Sequence, residues 1–160
     1  MAPVEKAPRG RSLTDFHMRV YRLFQKQRAY LRPKICELGM GPGQPKLVTY
    51  VAVHGPVTQR EVADFFEADP GTVSRMFDSL VREGFVTTQP GHDRRTREVI
   101  ATERGLAAAA SWDLCCDEEQ DVMLAGFSPA EREQFCDLLE RAYRNLSAAL
   151  PGEAGREVAQ

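Results

Sequence analysis

The sequence predicts a mainly α-helical fold carrying one small β-hairpin, and three observations predict it. The stretch from Thr58 to Gly105 reads as helix, turn, helix and then two β-prone runs with an arginine-rich tip between them. Apolar residues recur at helical spacing near both chain ends, at Phe16, Val20 and Leu23/Phe24 and again at Phe135, Leu138, Leu139, Ala142 and Leu146. Helix-start signals stand before three of the apolar-periodic runs: Thr-x-x-Glu at Thr58, Asp-Pro at Asp69 and Ser-Pro-x-Glu at Ser128.

The elements follow in order. A first helix is expected to begin near Ser12–Thr14 and to reach Glu37, with Leu13, Tyr30 and Leu31 extending its stripe and Pro33 perturbing its end. Gly39–Pro45 is a loop by composition. Leu47, Val48, Tyr50, Val51 and Val53 are expected to give a short buried helix ending at His54–Gly55, with Pro56–Val57 as the site for a short strand. Thr58 with Glu61 fits a capping box, and Val62, Ala63, Phe65 and Phe66 supply the apolar side of that helix. Asp69 is a good N-cap with Pro70 at the first helical position; Val73, Met76, Phe77 and Leu80 then face inward until Gly84. Phe85–Gln89 and Thr96–Ala101 are β-prone around Pro90-Gly91. A long Ala-rich helix starts at Thr102 and closes at Phe127, and Ser128-Pro129-Ala130-Glu131 starts the last one.

Length and composition fit a globular protein with one good core or two small ones. No apolar run approaches the roughly 18 residues of a membrane span. The N-terminal MAPVEKAPRGR lacks the apolar centre of a signal peptide, so the expected location is cytoplasmic. Cys36, Cys115, Cys116 and Cys136 have no zinc-type spacing and are expected as reduced thiols, with no metal and no cofactor. No nucleophile elbow, phosphate-cradling glycine loop or metal-hydrolase signature is present, so an enzyme is not expected.

Net charge is −2, distributed unevenly. Residues 1–55 carry +7, residues 56–105 carry −2 and residues 106–160 carry −7. This polarity fits a basic first helix paired with acidic later helices; solvated, unpaired faces are the alternative. Exposed pairs of this kind are worth only ~0–1 kcal/mol each.

The helix from Asp69 to Glu83 carries the functional signal. With its apolar stripe inward, its other side shows Gly71, Thr72, Arg75 and Ser79, with Ser74 alongside. Short polar side chains around one guanidinium can lie close to base edges, and Arg75 can pair bidentately with guanine O6 and N7. Free N–H groups at its start suit phosphate. An ordinary surface helix would look similar, but the hairpin adds Arg94, Arg95 and Arg97 near its tip, with Asp93 before them. Arginine there suits a narrow, electronegative minor groove, and Asp93 suits an organiser of an arginine side chain.

The stretches TQREVADFFEADPGTVSRMFDSLVREGFV and HDRRTREVIATERG resemble the MarR (multiple antibiotic resistance regulator) family of winged helix-turn-helix transcription factors. Asp93, Arg94 and Arg95 precede Thr102 and Gly105 at the family's wing spacing. The resemblance implies that Arg95 enters the minor groove, that Asp93 shapes the wing, that Thr72, Ser74 and Arg75 lie on the recognition helix, and that Gln59 and Arg60 lie on its supporting helix. Ala101 stands where the family usually has Leu, which implies looser packing there.

The resulting expectation is a disordered arm (1–11), a helical dimerisation platform from both chain ends (12–38 and 102–150), a winged helix-turn-helix DNA-binding module (44–101) and a flexible tail (151–160). Leu13, Phe16, Val20, Phe135, Leu139, Ala142 and Leu146 are the expected homodimer contacts, because one chain does not easily cover both apolar stripes. The partner is double-stranded DNA at a pseudo-palindromic operator, with no membrane. The resemblance further implies a repressor released by a small aromatic or apolar effector, for which His17, Tyr21, Tyr50, His54 and Trp112 are candidate pocket residues. A cysteine-based redox-responsive regulator on the same fold and a winged-helix protein-interaction module are the alternatives.

Overall fold

The computed structural model describes residues 15–91 and 96–150. Its elements are α1 (Phe16–Glu37), α2 (Gln44–His54), β1 (Val57–Thr58), α3 (Gln59–Phe65), α4 (Pro70–Arg82), β2 (Val86–Pro90), β3 (Arg97–Ala101), α5 (Glu103–Met123) and α6 (Pro129–Ala149). The molecule is mainly helical with one small antiparallel sheet. The expected hairpin gains a third strand: the order is β1-β3-β2, with Val57 opposite Val99 and Val86 opposite Ala101.

The chain divides into two compact units, one up to Glu119 and one from Gln120. The first holds a continuous core. Val73, Phe77 and Leu80 recur at i, i+4 and i+7 on α4, and each is at most 1% exposed. They meet Leu47, Val48 and Val51 of α2, Val62 and Ala63 of α3, Val86 and Val99 of the sheet, and Ala108 and Ala109 of α5. Full burial of a side chain such as Phe77 or Leu80 contributes roughly 1.5–3 kcal/mol. Ala101, where looser packing is expected, is partly buried and packs against this cluster.

Most predicted boundaries hold to within a residue or two. Others differ: α5 ends at Met123 rather than at Phe127, and Val53, expected in a buried helix, is 68% exposed. The expected start of α1 at Ser12–Thr14 lies outside the described residues; the helix is described from Phe16, with Asp15 at its N-cap position. Pro33 sits inside α1 without ending it. Its missing N–H costs the Ala29 carbonyl a helical partner, but Pro33 is exposed, so water can reach this face. Phe65, expected on the apolar side of α3, is 61% exposed. The helix ends at this residue, and the Phe65 ring stacks at the surface against Tyr50 (4.6 Å between centroids) and Phe66 (4.9 Å).

In the second unit, a left-handed Gly126 (φ +84°) turns the chain after α5. Ser128 Oγ then accepts from Glu131 N (3.3 Å) while Glu131 Oε2 accepts from Ser128 N (2.8 Å), closing the predicted capping box. Phe127 packs edge-on against Phe135 at 6.0 Å, and Arg132 pairs with Asp121 at 3.2 Å. No residue of α6 is buried within a single chain. No helix among the described residues is long and apolar enough to cross a membrane.

Candidate nucleic-acid interface

Two local capping networks build the helix pair. Thr58 Oγ1 accepts from Glu61 N (3.2 Å), and Glu61 Oε2 accepts from Thr58 N (2.6 Å). The backbone N–H of Thr58 thereby holds the Glu61 carboxyl below the usual carboxylate range. Asp69 Oδ2 accepts from Thr72 N (2.7 Å), with Pro70 opening α4. Hydrogen bonding to Thr72, with a smaller contribution from the Arg75 charge, lowers the Asp69 carboxyl as well. Each carboxylate sits at a helix start, where the helix dipole also favours negative charge.

Because Val73, Phe77 and Leu80 take the inner side of α4, the outer side is fixed. Gly71 and Arg75 are exposed, and Thr72 and Ser74 are half-buried. Arg75 Nη2 donates to Thr72 Oγ1 at 3.1 Å, which lays the guanidinium along the first turn. Ser79 is less available: its Oγ donates to Glu83 Oε1 (2.7 Å) and accepts from Arg82 Nη2 (3.1 Å). On α3, Gln59 is half-buried and Arg60 is exposed, the latter 3.8 Å from Asp64 across one turn.

In the wing, β2 and β3 pair from Val86–Ala101 out to Pro90–Arg97, and Gly91 N donates to Thr96 O (2.9 Å). Asp93, Arg94 and Arg95 lie outside the described residues. Arg97, expected near the tip, is a strand residue opposite Pro90 and donates to Thr88 Oγ1. That partner holds it along the strand.

The base of the wing is fastened to α5. Thr102 N donates to Phe85 O (3.1 Å), Thr102 Oγ1 donates to Gly84 O (2.7 Å), and Gly105 N donates to Thr102 Oγ1 (3.1 Å). Thr102 is thus the N-cap of α5 as well as its tie to the end of α4. Arg104, which the sequence reading did not single out, places its guanidinium 4.2 Å from the Phe85 ring centroid and donates to Glu83 O at 2.5 Å.

A groove of about 760 Å³ opens in the same unit beside α1, α2 and α5. Phe24, Trp112, Ile35 and Pro45 form apolar walls, and Arg28, Arg32 and Lys46 line it with positive charge. Its lining contains no carboxylate. Of the five pocket residues predicted from sequence, Trp112 lines it. Tyr50 and His54 stack on each other elsewhere at 4.5 Å, and His17 and Tyr21 are exposed on α1. The three cations were not predicted as groove residues. Only the juxtaposition of α1 with α2 selects them, and helical spacing within α1 does not contain that information.

Among the dimer candidates, Phe16 (78%), Val20, Leu139 and Leu146 (70%) are largely exposed in a single chain, Ala142 is exposed and Phe135 is half-buried. Leu13 lies outside the described residues. An ion pair between Lys34 on α1 and Glu118 on α5 is an instance of the expected basic-to-acidic pairing. All four cysteines are free, with Cys36 and Cys136 exposed. Burial, reinforced by the nearby Glu119 and Asp113 charges, pushes the Cys116 thiol up to about 11. Among the described residues no cluster of three or more His, Cys, Asp or Glu side chains could hold a metal ion.

Comparison with known proteins gives a consistent assignment. Residues 38–96 match the MarR family model. An uncharacterised helix-turn-helix-type transcriptional regulator of Bacillus subtilis, YwoH, is 26% identical over 84 residues, covering 52% of this chain and 61% of that protein. The match therefore spans less than two thirds of that relative's length. Among solved structures, the transcriptional regulator SlyA superposes with a TM-score of 0.78 at 23% identity, over 85% of this chain and 96% of that one. A protein from Listeria monocytogenes, assigned to the MarR transcriptional regulators and complexed with 26mer DNA, superposes with a TM-score of 0.79 at 18% identity, over 92% and 99%. At these identities the superpositions establish the fold. Across α2, the helix pair and the start of the wing this chain is similar to the MarR family, and over most of its length it has the winged helix-turn-helix fold of those solved structures.

Proposed function

We propose that this protein is a homodimeric, sequence-specific DNA-binding transcriptional regulator that acts in the cytoplasm as a repressor at a pseudo-palindromic operator. The observation that carries the reading is the outer face of α4. Asp69 orders its first turn, Thr72 holds Arg75 along it, and the buried stripe leaves Gly71, Thr72, Ser74 and Arg75 to face a major groove. The DNA-bound Listeria relative supports the same use of the fold. Arg94 and Arg95 at the wing, read from sequence, supply the flanking minor-groove contact.

Dimerisation is supported by the large apolar side chains that one chain leaves exposed, Phe16 and Val20 on α1 and Leu139 and Leu146 on α6. A twofold pair would set the two recognition helices about 34 Å apart, one turn of DNA. The proposed effector is a small aromatic or apolar molecule bearing negative charge. It would stack against Phe24 and Trp112 in the groove and balance Arg28, Arg32 or Lys46. Release follows if that ligand favours a dimer whose two α4 helices no longer match the operator spacing.

The test is binding to a duplex selected from random sequence, followed by fluorescence anisotropy. Arg75→Ala should weaken binding to the selected duplex about tenfold or more, the worth of one bidentate base contact, and leave binding to scrambled DNA nearly unchanged. Equal affinity of Arg75→Ala and the unmutated protein for the selected site would remove α4 as the reader.

A further inference from the structure

Arg104 occupies a junction of three segments. Its Nη1 donates to the carbonyl oxygen of Glu83, the residue that caps the C-terminus of α4. Its guanidinium lies over the face of Phe85, a ring only 1% exposed in the core. Its Nη2 lies 3.8 Å from the point where a side chain on Gly39 would begin, in the connection between α1 and α2. Gly39 itself is left-handed, with φ +74°. One planar cation therefore joins the end of the recognition helix and the residue that leads into β2 to the first turn of α5, and lies beside the α1–α2 connection.

A carbonyl at a helix C-terminus carries partial negative charge and lacks an intrahelical donor, so a guanidinium there satisfies both needs. Stacking on Phe85 fixes the plane of the guanidinium and hence the direction of its N–H groups. Thr102 holds the next carbonyls, Gly84 O and Phe85 O, from the same turn of α5. The other end of the connection also reaches α4. The point where a side chain on Gly43 would begin is 3.4 Å from Met76 Cε. Gly43 and Trp112 both line the cationic groove, and Trp112 is on the same helix as Arg104, two turns along.

We propose that Arg104 is a positioning residue for DNA recognition: it locks the C-terminal end of α4 to the first turn of α5, beside the α1–α2 connection, so that the tilt of the reading face is set by a helix that walls the groove. Arg104 touches no DNA in this role. The inference rests on the DNA-reading assignment of α4, and its test has one readout independent of DNA.

That readout is backbone amide exchange in Arg104→Ala. Glu83 N, Gly84 N and Phe85 N donate to Ser79 O, Val81 O and Leu80 O, forming the cap that Arg104 fastens. The expected result is faster exchange at these three amides with no change at Val99 in the sheet. On the selected duplex, affinity should fall about tenfold, the worth of one hydrogen bond to a charged group, with scrambled-DNA affinity and the salt slope preserved. Arg104→Lys, which keeps the charge and a donor, should recover most of the operator affinity, a rescue that general loss of fold would not show. Unchanged exchange at residues 83–85 would overturn the proposal. So would parallel loss of specific and scrambled-DNA binding with a shallower salt slope, since Arg104 would then be a phosphate contact. If the unmutated protein selects no duplex, the DNA reading fails while the exchange result still decides whether the clasp exists.

Discussion

Gly105 and Phe85 approach so closely that a Cβ on Gly105 would lie 2.0 Å from the Phe85 carbonyl oxygen. That oxygen is already committed, because it accepts from Thr102 N at 3.1 Å. The first turn of α5 is thus pressed against the start of β2, and only a residue without a side chain fits. The Thr-x-x-Gly spacing after the wing has a structural cause: Thr102 caps and ties, and Gly105 admits the strand.

Gly105→Ala should be strongly destabilising for a one-carbon change. Neither backbone can give way without breaking the Thr102 bond, so the cost is that of an overpacked core, ~2–3 kcal/mol. In a protein of this size the thermal midpoint should fall by about 5–10 °C. A calorimetric midpoint within a degree of the unmutated protein would mean that α5 and β2 are not held in this register.

The Asp69 cap should leave a pH signature. Its carboxyl titrates below the ordinary range in the folded chain because the ionised form accepts from Thr72. A lowered folded value means the stabilisation is complete above the unfolded carboxyl's value, about pH 4, and fades as pH falls through the lower folded value. Melting curves across pH 2–6 should therefore show Asp69→Ala less stable than the unmutated protein at the upper end and converging with it at the lower end. A constant difference across the range would contradict the cap.

Local hydrogen bonding explains why so much of this fold is legible in the sequence. The boxes at Thr58–Glu61 and Ser128–Glu131 and the cap at Asp69 close within three residues, so residue types alone specify them. The α4 stripe is legible for a related reason, since Val73, Phe77 and Leu80 lie on one side of any helix drawn through them. Non-local geometry is what the sequence hides. Phe65 is drawn outward by Tyr50 and Phe66, β1 joins β3 across forty residues of chain, and the groove cations and Arg104 acquire their surroundings only when α1, α2 and α5 meet.

Cysteine reactivity should follow exposure and charge. Cys116 keeps its proton near neutral pH because its thiol is raised to about 11, whereas Cys36 and Cys136 are exposed. Maleimide labelling at neutral pH, read by mass spectrometry, should modify Cys36 and Cys136 first and Cys116 slowly. Cys116 among the fastest-labelled residues would revive a redox switch centred on α5.

Leu146→Glu addresses assembly. Leu146 is 70% exposed in a single chain, so the substitution removes little from the subunit's own core. Burying its charge in a dimer contact would be costly without a partner. Sedimentation should show the unmutated protein as a dimer at micromolar concentration and Leu146→Glu shifted to monomer with its helical content retained. A well-folded monomer of the unmutated chain would remove the second copy from the account.

The central claim is tested most directly by mixing the purified protein with the DNA upstream of its own gene and following gel mobility across a salt series with excess non-specific competitor. The account predicts a discrete, competitor-resistant complex containing two chains. Its salt slope should be modest, about −0.9 per phosphate neutralised, because residues 56–105 carry a net charge of −2. Binding that disappears with competitor at physiological salt, for this DNA and for duplexes selected from random sequence alike, would contradict the claim that α4 and the wing read DNA sequence.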